Sequence, residues 1–464
     1  MTNSDQFQRT SDQFQRTSDQ SQRTSDQSQR ISPAPAESPN SDGASYDSRW
    51  VDPTGYQKAI ELLHQCRRDE GFLATPTNRA NYRRIWGRDS SIIGLAALLS
   101  GETDLIEGCR NSLQTLAEYQ GPHGEIPSNV DPITRRVSYG GTAGRVDANL
   151  WFLITCGTYC RITEDDDFLC KMLPVIEKTR YLLGAWEFNT RGLLYVPPTG
   201  DWADEYLQSG YVLYDQLLYL QAQREVAGIH YRMHDTENHE LIQRINQLQH
   251  LIRNNYWLCD GEAPDDAYHK VLYEKGRQAA PERGGFYWLP FFSPFGYGYR
   301  FDAFANCLMM LLAGVEDEQC DLVDGYIDES IVHRDVMMLP AFDPVITPKD
   351  DKWDDLQVTF SHSFKNSPYE YHNGGLWPLV NGFYAAALAG RGKMDLAKQY
   401  TRGVHWANQL ELGGQPWAFP EYVHGRDHVA GGTSPMGWSA AAAVIAEHAC
   451  QGDRLFADKS SGSH

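Results

Sequence analysis

Ser439-Ala-Ala-Ala-Ala-Val-Ile-Ala-Glu-His-Ala449 is apolar on nearly every side of a helix, and a helix without a polar face belongs in the interior. Leu241, Ile245, Leu248 and Ile252 show the opposite pattern, with spacings of 4, 3 and 4 that place one buried stripe on one side. Helical periodicity recurs over about 56–70, 88–100, 103–119, 146–162, 166–188, 209–228, 237–256, 301–314, 318–334, 374–391, 393–411 and 434–449, without a strand-and-hairpin rhythm between these segments. Twelve helices alternating between an inner and an outer ring predict six hairpins, an all-α (α/α)6 toroid.

In such a ring all connections that lead into inner helices emerge at one end. Here they carry WGRDS at 86–90, YGGTAGRVDANLW at 139–151, PTGDWADEY at 198–206, FYWLPFFSPFGYGYRFD at 286–302, YEYHNGGLWP at 369–378, and QPWAFPEYVHG with GGTSPMGW at 415–425 and 431–438. The opposite connections, such as SGETD at 100–104 and GRGKMD at 390–395, are short and ordinary. One face therefore collects Gly, Trp, Tyr, Arg, Asp and Glu.

Three carboxylates and two aromatics share the turn that ends at Tyr206. A helix N-terminus also favours acids, but buried carboxylates with raised pKa values serve general-acid chemistry. Asp204 is the candidate acid, with Trp202 and Tyr206 expected to shield it and Asp201 to raise its pKa further. Whether Asp204 or Asp201 holds the proton stays open. Glu421, isolated between aromatics, is the candidate base, and such a pair is what glycoside hydrolysis needs. Arg88 and Asp89 read either as a salt bridge with Asp89 capping a helix, or as a bidentate grip on vicinal hydroxyls. His372 and Asn373 offer a donor and an acceptor beside Gly374-Gly375, and Trp151 and Trp377 read equally as core or platform.

The formal charge of −20 argues against nucleic acid or an anionic membrane as partner. With 12 Trp and 25 Tyr, a small neutral saccharide fits better. Nine cysteines, an odd number without tight pairs, indicate reduced, cytoplasmic usage. Neither a signal peptide nor a membrane-spanning run is visible. No HExxH, GxSxG or phosphate-loop motif occurs, so neither metal nor cofactor is expected. Residues 1–46, with tandem SDQ[FS]QRT heptads, read as a disordered tail, 47–453 as the helical domain and 454–464 as a flexible end.

YHNGGLWP at 371–378, Pro420-Glu421-Tyr422 and Gly437-Trp438-Ser439 resemble motifs of the neutral/alkaline invertases. WGRDS at 86–90, GEIPSN at 124–129, DANLWF at 147–152 and WAD at 202–204 are similar to the catalytic domain of glycogen-debranching amylo-α-1,6-glucosidases. The resemblance covers about 50–450 and implies a six-hairpin glycosidase, exo-acting and inverting, with Asp204 as acid and Glu421 as its partner. It also implies a glucosyl subsite lined by Arg88, Asp89, Asp147, His372 and Trp377. Trp86, Trp202, Tyr206, Asn373, Trp417, Tyr422 and Trp438 complete the expected substrate contacts.

Two departures are visible. The invertases carry two Arg after the acid where this chain has Glu205-Tyr206, and the debranching enzymes add an N-terminal domain. A sucrose-type or other small α-glucoside is therefore expected first and α-1,6 debranching second. An inactive sugar-binding toroid, and a lyase or epimerase using Tyr206, His372 or His424, are the rivals; the oligomeric state is open.

Overall fold

The computed structural model describes residues 53–79, 81–258, 262–283, 286–359 and 363–456, so the expected 1–46 tail lies outside the described residues. The first helices are α1 (Gly55–Cys66), α2 (Gly87–Ser100), α3 (Thr103–Glu118), α4 (Asp147–Thr163) and α5 (Asp166–Ala185). They are followed by α6 (Leu213–His234), α7 (His239–Asn255), α8 (Lys270–Arg283), α9 (Ala303–Leu312) and α10 (Asp317–Tyr326). A short α11 (Trp353–Gln357), then α12 (Pro378–Gly390), α13 (Met394–Gln409) and α14 (Gly437–Gln451) complete the described helices.

Six of them are buried nearly all round: α2, α4, α6, α9, α12 and α14. They pack in the cyclic order α2, α4, α6, α9, α12, α14 and back to α2. That closed ring is the inner layer of the toroid. The single-stripe helices, α3, α7 and α13 among them, form the outer layer with their polar faces turned away. The fold is the expected mostly helical (α/α)6 toroid.

Two helices were not expected. α8 is largely polar and contains Gly276 and Pro281, and α11 is little more than one turn, so neither carries an apolar stripe that periodicity could detect. The segment expected as one helix over 318–334 instead passes from α10 into a π-helical turn, Ile327–Ile331. At the C-terminus the packed chain runs past the expected boundary of 453, with Leu455 and Phe456 both buried.

Small residues set the spacing of the inner ring. A Cβ on Gly382 of α12 would lie 2.6 Å from the Ala442 carbonyl oxygen of α14, a contact that only displacement of two core helices can relieve. Gly382→Ala gains about 1 kcal/mol of helix propensity but incurs overpacking of about 1–3 kcal/mol. A net loss of up to about 2 kcal/mol is expected, read as a lower denaturation midpoint.

The connections entering the inner helices are laced to one another by short strands and single hydrogen bonds. Ile85–Trp86 pairs with Asn129–Val130, and Tyr211–Val212 with Phe291–Phe292. Phe301–Asp302 pairs with Phe342–Asp343, while Leu376 bridges Val423. The Val146 amide donates to the Gly200 carbonyl and the Gly437 amide to the Ala74 carbonyl, both at 2.8 Å, which closes the circle. Strands of two or three residues give no alternation to read, so the sequence shows none of them. Their effect is to fix the six connections into one rim above the inner ring.

Candidate active site

Each inner helix begins at this rim, and four begin with an aspartate. Asp89, Asp147 and Asp215 lie in the first turns of α2, α4 and α6, and Asp302 caps α9 by accepting the Ala305 amide at 3.0 Å. Carboxyl groups are favoured at helix N-termini by the unpaired N–H groups and the macrodipole, so the ring geometry itself draws acids to its centre. Burial pushes Asp302 up to about 7 and Asp201 and Asp215 well above the ordinary carboxyl range, each reinforced by its acidic neighbours or only partly relieved by hydrogen bonds. Asp201 accepts from Gln208 Nε2 at 3.0 Å and is 1% exposed. Burial thus favours the neutral form of these acids.

Asp204 differs. Burial alone would raise it, but Arg145 first, with Arg88 and Lys365 behind it, holds Asp204 below the usual range. Arg145 donates through Nη2 to the Asp204 carboxylate and through Nη1 to the Thr199 carbonyl. The expectation that Trp202 and Tyr206 raise its pKa therefore fails, as does the idea that Asp201 sets it. Trp202 is 1% exposed and boxed in by Phe304, Phe342, His372 and Trp377 at centroid distances of 5.0–5.9 Å. Tyr206 stacks on Phe342 at 4.3 Å and lines a separate cavity of about 580 Å³. Both pack into the protein, and among the described residues neither Trp202 Nε1 nor the Tyr206 hydroxyl has a hydrogen-bond partner.

Glu421 enters from the connection before α14, three inner helices away from the turn before α6 that holds Asp204. In a ring of six, that places the two connections opposite each other. Glu421 accepts from the Tyr82 hydroxyl at 3.0 Å and from the Thr433 amide at 2.8 Å, which fixes its orientation. Burial raises its pKa against the pull of those donors and of Lys365. A cavity of about 340 Å³ opens onto it, walled by Tyr82, Phe364, Lys365, Tyr371 and Tyr422. Lys365 pairs with Glu205 at 3.1 Å and lies 5.0 Å over the Tyr371 ring.

Arg88 donates to Asp147 at 2.8 Å and stands 3.9 Å from Asp89. Burial works against its charge, and Asp147 and Asp89 more than offset that. Asp89 is raised by burial to about 7. The N-cap position of α2 falls on Trp86, and Asp89 lies in the first turn. Asp89 accepts a backbone N–H of that turn and pairs with Arg88, so the helix-ordering role and membership of a buried Arg88, Asp89 and Asp147 group coexist.

His372 is fully buried, neutral with its pKa lowered to about 3 by burial, and stacked on Trp377 at 4.9 Å. Among the described residues neither of its ring nitrogens has a hydrogen-bond partner, and the same holds for Trp438 Nε1, Arg88 Nε and Asp147 Oδ1. These groups are contiguous, with Trp377 5.5 Å from Trp438 and the Arg88 guanidinium 5.5 Å from the Trp438 ring. Buried polar groups without partners are uncommon and call for an explanation.

The other expected contacts differ in what the fold has already engaged. Asn373 donates to the Ile346 and Asn366 carbonyls and accepts the Ile346 amide, so its side chain is fully used in holding the loop. Trp377 is core, its Nε1 donating to the Tyr371 carbonyl, and Trp151 is core as well, hydrogen-bonded to Tyr214. Trp86 is half-buried with Nε1 on the Asn81 carbonyl, and Trp417 is half-buried against Phe419. Tyr422 alone of these lines the Glu421 cavity. His424, a rival base, accepts the Arg426 and Asp427 amides through Nδ1. Tyr82, Arg145, Lys365, Tyr371, Asp215 and Asp302 were not singled out from sequence; the recurrence of an Asp at successive inner-helix starts was the signal for the last two.

Among the described residues no group of His, Cys, Asp and Glu is arranged to hold a metal ion, and no helix is long and apolar enough to cross a membrane.

Residues 77–252 match the family model for amylo-alpha-1,6-glucosidase. The chain is 25% identical over 399 residues to the probable alkaline/neutral invertase D of Arabidopsis thaliana, covering 75% of this chain and 70% of that protein. It is 24% identical over 399 residues to cytosolic invertase 1 of Oryza sativa subsp. japonica, covering 75% and 67%. Its structure superposes on GH63 mannosylglycerate hydrolase from Thermus thermophilus in complex with glucose with a TM-score of 0.57, at 16% identity, over 84% of this chain and 99% of that one. A bacterial glucoamylase complexed with acarbose gives 0.59 at 14% identity, over 87% and 56%. The chain has the six-hairpin glycosidase fold and is distantly related to the alkaline/neutral invertases and the amylo-alpha-1,6-glucosidase domain.

Proposed function

We propose that this distant relative of the alkaline/neutral invertases is an exo-acting, inverting glycoside hydrolase whose substrate is a small α-glucoside of the sucrose type. The observation that carries the reading is the set of buried polar atoms on Arg88, Asp147, His372 and Trp438 that have no hydrogen-bond partner among the described residues. A sugar ring, with a donor and an acceptor on every hydroxyl, supplies partners for all of them.

In the mechanism proposed, Glu421 takes a proton from a water that attacks the anomeric carbon. The bond to the aglycone breaks, and Asp204 protonates the departing oxygen. Inversion needs the two carboxyl groups roughly 6.5–9.5 Å apart, leaving room for that water. Tyr82 and the Thr433 amide aim Glu421. Asp204 has to be protonated to act, yet in the unliganded protein Arg145 favours its ionised form. Arg145 must therefore release Asp204 as the substrate enters, and it sits just after the Gly140–Gly144 loop, which contains three glycines.

The sign of the Arg145 effect is testable. Removing the cation raises the Asp204 pKa, so Arg145→Met is expected to move the alkaline limb of the kcat/KM profile to higher pH. Reversed roles, with Glu421 as acid and Asp204 as base, are favoured by the raised Glu421 and lowered Asp204. Under that reading the same substitution moves the acid limb instead, and a pH profile separates the two.

The match to the amylo-alpha-1,6-glucosidase model supports α-1,6-glucosides as the second substrate reading. Glucose release from sucrose, isomaltose, maltose and a glycogen limit dextrin distinguishes the two. Release from sucrose alone supports the first, release from isomaltose or the dextrin supports the second, and silence on all four favours an inactive sugar-binding toroid. The eight described cysteines are free thiols, which suits a cytoplasmic enzyme.

A further inference from the structure

A cavity of about 720 Å³, separate from the Glu421 site, lies between α8 and the hairpin formed by Phe291–Ser293 and Gly296–Tyr297. Its wall is a continuous aromatic surface. Tyr211 lies 4.6 Å from Tyr268 and 4.9 Å from Phe292, and Phe292 lies 5.4 Å from Tyr297. The Tyr268 hydroxyl is tied to Asn189 and Tyr211, and a Cβ on Gly276 would meet the Tyr297 ring at 2.5 Å, so the rings are held in place.

The charge of this cavity is opposite to that of the chain. Arg191, His269 and Lys275 line it, and among the described residues no Asp or Glu does. Among the described residues none of the three forms an ion pair with a carboxylate; Arg191 instead lies 4.2 Å over the Tyr268 ring. Three other cavities each contain acids: Glu370 and Glu421 in one, Asp350 and Asp351 in another, Glu187 and Glu240 in the third. In a protein with a net charge of −20, a concave surface with two cationic side chains, Arg191 and Lys275, and no acid among its described lining residues concentrates anions locally. Flat aromatic faces accept sugar or base rings, and Arg with Lys suits phosphate.

We infer that this cavity binds a small phosphate-bearing ring compound, a sugar phosphate or a nucleotide, with its ring against the half-buried Tyr211 and Tyr297 and its phosphate on Arg191 and Lys275. The site is independent of the glycosidase reading.

Titration calorimetry of the full chain with glucose 6-phosphate, adenosine monophosphate, glucose, adenosine and inorganic phosphate tests it. At least one phosphorylated compound is expected to bind ten-fold or more tightly than its unphosphorylated counterpart and than inorganic phosphate. Preference for the nucleotide identifies base stacking; preference for glucose 6-phosphate identifies sugar stacking. The double variant Arg191→Ala, Lys275→Ala, both at exposed positions, should weaken that binding at least ten-fold while the melting temperature stays unchanged. Absence of binding by both phosphorylated compounds at millimolar concentration overturns the inference. So does binding that persists in the double variant, which would place the anion elsewhere, or inorganic phosphate binding as tightly as either ring compound.

Discussion

Asp204→Asn is expected to lower kcat/KM for a sucrose-type α-glucoside by about 10²–10⁴, the usual worth of a general acid, while leaving hydrolysis of α-glucosyl fluoride nearly intact. Fluoride departs without a proton, so a missing acid costs little with that substrate. The amide keeps an oxygen to accept from Arg145, and the Asp204 side chain is 18% exposed, so the fold should survive. Equal losses on both substrates would show that Asp204 does something other than protonate a leaving group. Asp201→Asn makes the companion control: Asp201 is buried beside Gln208, and its loss should not spare the fluoride selectively.

Glu421→Ala is expected to abolish turnover of both substrates, again by about 10²–10⁴ or more, because the attacking water loses its base whatever the leaving group. Azide needs no deprotonation, and the truncated side chain leaves room for it beside Tyr82 and Thr433. It should restore consumption of α-glucosyl fluoride with formation of β-glucosyl azide, one C–N bond replacing the C–F bond. If fluoride hydrolysis instead survives in Glu421→Ala and disappears in Asp204→Asn, the two carboxyl groups exchange roles. The electrostatics of the unliganded site make that exchange a real alternative, since Arg145 favours ionised Asp204 while burial favours neutral Glu421.

The toroid was readable because inner and outer helices differ in a property that sequence displays directly. Ser439–Ala449 has no polar face, whereas Leu241, Ile245, Leu248 and Ile252 form a single stripe. Position along that alternation also predicted which connections share a rim. What was not readable lies at the level of side-chain direction. Trp202 and Tyr206 flank Asp204 in sequence, yet the turn sends one into the core and the other into a neighbouring cavity. The group that sets Asp204, Arg145, lies 59 residues earlier and arrives only because the connections before α4 and α6 are adjacent on the ring.

Asn373 and Trp377 illustrate the same limit. Both sit in a motif rich in possible sugar contacts, but their polar atoms are taken up by the carbonyls of Ile346, Asn366 and Tyr371. His372, between Tyr371 and Asn373, is left with neither nitrogen hydrogen-bonded among the described residues. A sequence shows that a donor is present, not whether the fold has already used it.

The proposed enzyme inverts an α-glucoside across two opposed carboxyl groups. The most direct test is the proton NMR spectrum of glucose released in the first turnovers with sucrose, before mutarotation equilibrates the anomers. The β-anomer is expected to appear first. Initial release of the α-anomer, or no glucose from sucrose at all, would contradict the proposal.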